Sequence, residues 1–194
     1  MITMEAIILK DTVTGRLTDD EFYRFCMDNR DLKIERNNKL EIIIMSPTNS
    51  FSGKINTEIL RQLSNWNFET KKGEVFDSSS GFLLPDRSVF SPDAAWVSKA
   101  KWEALTEEQK NSFAPVCPEF VIEVRSKSDR LEDVQNKMAK WISNGVVAGW
   151  IIDPLDQKVY LYAASGQFAV SDFQEKLSNQ ELLPGFALDL SLLR

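Results

Sequence analysis

The chain has 194 residues, 43% hydrophobic and 27% charged, with a formal net charge of -6. That is enough apolar material for one well-covered domain over 1–194, and too acidic a balance for a protein that coats nucleic acid by bulk charge, although a local basic groove is compatible with it. There is no histidine, which excludes serine or cysteine catalysis with a histidine base and most zinc hydrolase sites. Acid, base and metal chemistry must then come from carboxylates, lysines, tyrosines or thiols. No apolar run approaches the roughly 20 residues of a membrane span, and MITMEAIILKD lacks the basic start and cleavage site of a secretion signal, so a soluble cytoplasmic protein with no membrane partner is expected. Cys26 and Cys117 belong to no paired motif and read as small core residues. Neither a Walker phosphate loop nor a GxGxxG stretch is present.

In chain order, Thr18 with Glu21 forms a capping-box signature, and Phe22, Phe25 and Cys26 follow at helical spacing, predicting a helix from about Asp19 to Asn29. DLKIER and KLEIIIM read as two antiparallel strands around Asn37 and Asn38, a pair that tolerates the positive backbone angles of a tight turn. Glu35 and Glu41 in this hairpin are given surface roles. From about Ser50 to Trp66, the spacing of Ile55, Ile59, Leu60, Leu63 and Trp66 predicts an amphipathic helix with Lys54, Glu58 and Arg61 on its polar side.

After Gly73 come short strands and turns, GEVFDSSSGFLLP and FSPDAAWV, then short helices near Lys99 and at Thr106 with Gln109. PEFVIEV is an apolar strand. Ser128 and Asp129 precede a helix to about Asn144, with Asp129 and Glu132 in capping-box register and Gly145 as its stop. GWIIDP and KVYLYA form a second antiparallel pair, and weaker strands follow near PGFALDL. The order predicts an α+β (or α/β) fold around a mixed sheet.

Within PEFVIEVRSKSD, alternation puts Phe120, Ile122 and Val124 on one face and Val121, Glu123 and Arg125 on the other. Glu123 therefore either reaches water at the strand's end or is held partly buried for a chemical reason. Asp93 heads the apolar run AAWV just after Pro92. If the two strands are neighbours, both acids converge, and an all-oxygen pair suits Mg²⁺ or Mn²⁺. The structural alternative has Asp93 capping a turn and Glu123 paired with Arg125 or Lys127.

Ser91-Pro92-Asp93, followed about thirty residues later by Glu123-Val124-Arg125, resembles the signature of the PD-(D/E)xK superfamily of restriction-endonuclease-like nucleases. More closely, SSSGFLLP, SPDAAWV, CPEFVIEVRSKSDRLEDVQNKMAKWISNG and GWIIDP resemble the Uma-type family described as restriction endonucleases, from about Glu35 to Phe186. The resemblance implies a restriction-endonuclease-like mixed β-sheet flanked by helices and a metal-dependent endonuclease whose partner is DNA, with a homodimer as an admissible assembly. It implies Mg²⁺ (or Mn²⁺) on Asp93 and Glu123, with Glu58 joining the metal from the first core helix. Glu58 has a plainer alternative in an ion pair with Lys54 or Arg61.

Arg125 stands where the superfamily has lysine, and arginine cannot act as a base, although its planar fork can grip phosphate. The resemblance implies a lysine from the next helix, with Lys137 as the match. Taking Leu131, Val134, Met138, Trp141 and Ile142 as the buried stripe, Lys137 lies roughly 90° from its centre and Lys140 nearly opposite. Lys137 can reach inward, though a surface lysine is its alternative, and Gln135 on the other boundary is a secondary candidate. The five tryptophans read as core aromatics. The competing functional classes are a catalytically inactive nucleic-acid-binding or protein-interaction module that keeps the nuclease fold, and a structural subunit of a larger system.

Overall fold

The computed structural model describes residues 7–9, 17–166, 168–173 and 176–194. Its strands are β1 (Ile7–Leu9), β2 (Lys33–Arg36), β3 (Ile42–Met45), β4 (Gly73–Asp77), β5 (Phe82–Leu83), β6 (Val89–Phe90), β7 (Ala94–Ser98), β8 (Phe120–Val124), β9 (Ala148–Asp153), β10 (Lys158–Ala163), β11 (Phe168–Asp172), β12 (Lys176–Leu177) and β13 (Leu188–Asp189). The α-helices are α1 (Asp19–Asp28), α2 (Ser50–Thr70), α3 (Lys99–Glu103), α4 (Glu107–Lys110) and α5 (Leu131–Ser143), and a 3₁₀ turn, Leu190–Leu193, follows β13. Among the described residues no helix is long and apolar enough to cross a membrane.

The larger sheet has the order β11-β10-β9-β8-β7-β4. Its neighbours are antiparallel except β8 and β9, which run parallel and need the crossover that α5 supplies. Both strands are buried along their whole length because each face of the sheet carries its own apolar layer. On one face Phe120, Ile122 and Val124 meet Ile55, Ile59 and Leu63 of α2 and the C-terminal Phe186 and Leu188. On the other, Val121 and Ile151 lie under Met138 and Trp141 of α5. The expected mixed sheet flanked by helices is the observed architecture.

A smaller sheet, β1-β3-β2-β6-β5, carries α1 through Phe22, Cys26, Ile34 and Val89. The chain leaves it at Phe90 and, through Ser91, Pro92 and Asp93, enters β7 of the larger sheet. The two sheets are therefore joined covalently within a few residues of the motif aspartate. Beside α1, the guanidinium of Arg36, 1% exposed, lies over the Phe22 ring and bonds Asp19 and the Arg87 carbonyl, so the charge is buried with partners.

The capping boxes at Thr18/Glu21 and Thr106/Gln109 are formed. Two local expectations are corrected. The hairpin loop takes its positive φ at Leu40 (64°) instead of at Asn37 or Asn38, because the Asn37 side chain closes the loop itself by accepting from the Lys39 and Glu41 amides. The helix α5 has Arg130 as its N-cap with no side-chain cap bond; Asp129 instead accepts from the Ser126 amide at 2.8 Å. Separately, α2 runs past Trp66 to Thr70 and stops where Lys71 turns left-handed (φ 51°).

Gly149 fixes how α5 sits on the sheet. A Cβ there would fall 2.2 Å from Met138 Sδ, so the helix rests on bare β9 backbone. Met138 fills that notch with 0% exposure. Met138→Ala is expected to lower unfolding free energy by about 2–5 kcal/mol in denaturant titration, and a change near zero would mean the helix is not held through this contact.

Candidate active site

The register of β7 on β8 pairs Ala94 with Ile122, so one step further sets Asp93 across from Glu123 at the same end of the sheet. The alternation that buries Val121 under α5 sends Glu123 to that side as well, and it is 5% exposed. Lys137 and Trp141, one helical turn apart on α5, both reach it. Trp141 donates Nε1–H to Glu123 Oε1 at 2.8 Å, and Lys137 Nζ stands 3.1 Å from the same oxygen. The expected inward reach of Lys137 is observed, whereas Lys140 is exposed. Among the described residues Gln135 makes no hydrogen bond to this group.

The ammonium has two further partners, Glu35 Oε1 and the Ser91 carbonyl, both at 2.9 Å. Glu35 Oε1 also accepts from the Ser91 amide at 3.0 Å, and the residue is 3% exposed. Its expected surface role is therefore corrected. Glu35 lies on β2, whose neighbour β6 delivers Ser91 beside it, and α5 then closes over both. No signal within KIER announces this, because the covering strand and helix are remote in sequence.

Asp93 is held from two sides: Oδ2 accepts the Val124 amide at 2.8 Å and Oδ1 accepts Asn56 Nδ2 at 2.9 Å. Asn56 Oδ1 is buried and, among the described residues, has no hydrogen-bond partner. The α2 residue at the acid is thus Asn56, not Glu58. Two positions along a helix turn a side chain by about 200°, which sends Glu58 to Arg61 (2.5 Å) and Gln62 (3.0 Å) instead.

Arg125 is also elsewhere. Its Nη1 donates to Asp153 Oδ2 and Asp156 Oδ2, each at 2.7 Å, so one guanidinium nitrogen ties the end of β8 to the turn after β9. Asp153, in the Gly-Trp-Ile-Ile-Asp-Pro stretch, has 0% exposure and is compensated by that guanidinium. The motif position carries structure here.

Two carboxylates, Glu35 and Glu123, thus share one ammonium, and the charge of Asp93 acts on both Glu123 and Lys137. Burial pushes the Glu123 carboxyl up to about 7; the Lys137 charge opposes this, Asp93 and Glu35 reinforce it, and the Trp141 hydrogen bond opposes it. For Lys137, burial would favour the neutral amine, but Glu123 and Glu35 outweigh it and raise its pKa, so it stays protonated. Among the described residues no three acidic or cysteine side chains are grouped to hold a metal ion, so any cation would rest on two acids.

Residues 19–191 match the model of the Uma2 family, described as "Putative restriction endonuclease". The chain belongs to the Uma2 family. A crystal structure titled as that of a putative nuclease from Anabaena variabilis, of a domain family of unknown function, superposes with a TM-score of 0.71 at 19% identity, covering 91% of this chain and 97% of that one. At that identity the likeness concerns the fold. No curated protein matches. Within this Uma2 chain the expected Asp93, Glu123 and Lys137 come together, Arg125 and Glu58 do not join them, and Glu35 and Asn56 do.

Two outcomes follow for the side chains. The ordinary carboxyl value is 4.5 and the folded value of Glu123 about 7, so between them the folded state binds more protons. Stability from this group is full below about pH 4.5 and is lost as pH rises through about 7, a change of about 3 kcal/mol at roughly 1.4 kcal/mol per unit. Metal-free Glu123→Gln is expected to lack that decline when denaturant midpoints are compared from about pH 4.5 to 8; parallel curves would refute it. Arg125→Met, by leaving buried Asp153 with no countercharge and only the Leu155 and Asp156 amides as donors, is expected to lower stability by about 3–5 kcal/mol, and an unchanged melting curve would contradict the clamp.

Proposed function

We propose that this Uma2 protein is a metal-dependent endonuclease that hydrolyses DNA phosphodiester bonds, with Asp93 and Glu123 holding Mg²⁺ or Mn²⁺ and Lys137 acting at the scissile phosphate. The observation that carries the reading is the meeting of these three side chains, from the start of β7, from β8 and from α5, at one end of the sheet. Family membership supports a nuclease, and the chemistry supports the cation. The donors are all oxygen, two carboxylates suffice for an ion that keeps several waters, and the partnerless Asn56 Oδ1 is a further oxygen beside Asp93.

A bound cation would polarise the phosphate and make its water more acidic. The chain's own groups do the rest. The Val124 amide and Asn56 hold Asp93 in place, and Trp141 fixes the Glu123 carboxylate. Lys137, always charged in this surrounding, offers a fixed ammonium to the negative charge that grows on phosphate in the transition state. In this reading Arg125, whose Nη1 is held by Asp153 and Asp156, takes no part in gripping phosphate, and Glu58, held by Arg61 and Gln62, takes no part in metal binding.

One observation favours a second reading. The ammonium already neutralises Glu35 and Glu123, as in a fold that keeps its polar core after losing chemistry, which fits a non-catalytic nucleic-acid or protein-binding module. Plasmid DNA incubated with Mg²⁺ or Mn²⁺, with and without chelator, separates the two. Asp93→Asn is expected to abolish cleavage and calorimetric Mn²⁺ binding, and Lys137→Ala to lower kcat by about 100-fold or more with binding retained. A parent that retards DNA but never cuts it would hand the function to the binding module.

A further inference from the structure

Lys137 sits mid-helix on a long, rotatable side chain, and a catalytic ammonium is useful only if it stays where the phosphate arrives. Its three acceptors are not equivalent. Glu123 is also a proposed cation ligand, and a divalent ion on that carboxylate repels a neighbouring ammonium and competes for the same oxygens. Glu35 and the Ser91 carbonyl stand outside that competition. They also brace one another, because Glu35 Oε1 accepts both the ammonium (2.9 Å) and the Ser91 amide (3.0 Å) while the Ser91 carbonyl accepts the ammonium (2.9 Å). The carboxylate is 3% exposed, comes from β2 of the smaller sheet and is held there by the Ser91 amide, a support that α5 and β8 do not supply.

We infer that Glu35 is the positioning residue for Lys137: it holds the ammonium beside the scissile phosphate once a cation occupies Glu123. The inference rests on the reading of Lys137 as the group that acts on phosphate. Glu35 acts through Lys137 and touches neither DNA nor cation. Removing its charge leaves the ammonium with Glu123 as its main partner, where it either competes with the cation or swings away.

The test has one arm that needs activity and one that does not. In plasmid cleavage with Mn²⁺, Glu35→Gln is expected to lower kcat by about 30-fold or more with KM within about twofold, and Glu35→Gln/Lys137→Ala to be no slower than Lys137→Ala alone. In the metal-free protein, acetic anhydride labelling read by peptide mass spectrometry is expected to modify Lys137 about tenfold faster in Glu35→Gln than in the parent, with exposed Lys140 unchanged. If Glu35→Gln does not fold, Glu35→Asp, which keeps the charge but withdraws the oxygen by one methylene, is read in the same assays. Unchanged kcat with unchanged protection of Lys137, or losses that multiply in the double variant, would overturn the inference. If the parent cuts nothing, the nuclease reading falls by itself, and labelling alone decides whether Glu35 pins the lysine.

Discussion

A single ammonium joins three parts of the chain that are remote in sequence. Lys137 Nζ lies within 2.9–3.1 Å of Glu35 from the smaller sheet, of the Ser91 carbonyl from the connection between sheets, and of Glu123 from the centre of the larger sheet. Remove it and the buried Glu35 and Glu123 lose the cation between them, with the charge of Asp93 close enough to act on Glu123. Like charges in such a place cannot all remain ionised, so the elements would separate or take up protons. Holding the acids together and keeping them chargeable are thus one requirement, met by one helical lysine.

The same requirement explains the departure at the motif. A lysine two residues after the glutamate, as the superfamily has it, would come from β8 itself. Here that position is spent on Asp153, a carboxylate with 0% exposure whose charge is met by Arg125 Nη1, the nitrogen that also reaches Asp156. With position 125 committed to the turn after β9, the ammonium has to come from another element, and the crossover helix required by the parallel β8–β9 pair passes directly above.

Much of this was legible in the sequence. The hydrophobic periods located α2, α5 and the central strands, because those segments bury one stripe or one face against a neighbour. The angular position of Lys137 on α5 followed from the same stripe. Glu35 was not legible: its burial depends on pairing with β6, more than fifty residues away, and on a helix a hundred residues away. Asn56 was missed for a different reason. At 100° per residue Asn56 lies nearer the Ile55, Ile59, Leu63 and Trp66 stripe than Glu58 does, but the resemblance implies an acid on this helix and Asn56 is a neutral amide. The capping-box pattern at Asp129 failed because the aspartate found the nearer Ser126 amide.

The dependence of each side chain's aim on how its helix is seated makes the notch at Gly149 more than a packing detail. With no side chain on β9 at that point, Met138 drops onto the backbone and α5 has one seat, fixed both along its axis and about it. Lys137 precedes the seated residue and Trp141 lies one turn beyond, so both are aimed by it. A one-residue insertion in the helix before Met138 that left Met138 seated would carry every earlier side chain through about 100° and leave the later ones in place. The helix is in this sense a keyed shaft, and its key is a glycine with no chemistry of its own. Selection on catalysis in such a protein would bear on a position that never meets the substrate, and a substitution there would look like a stability mutant while acting as a change of aim.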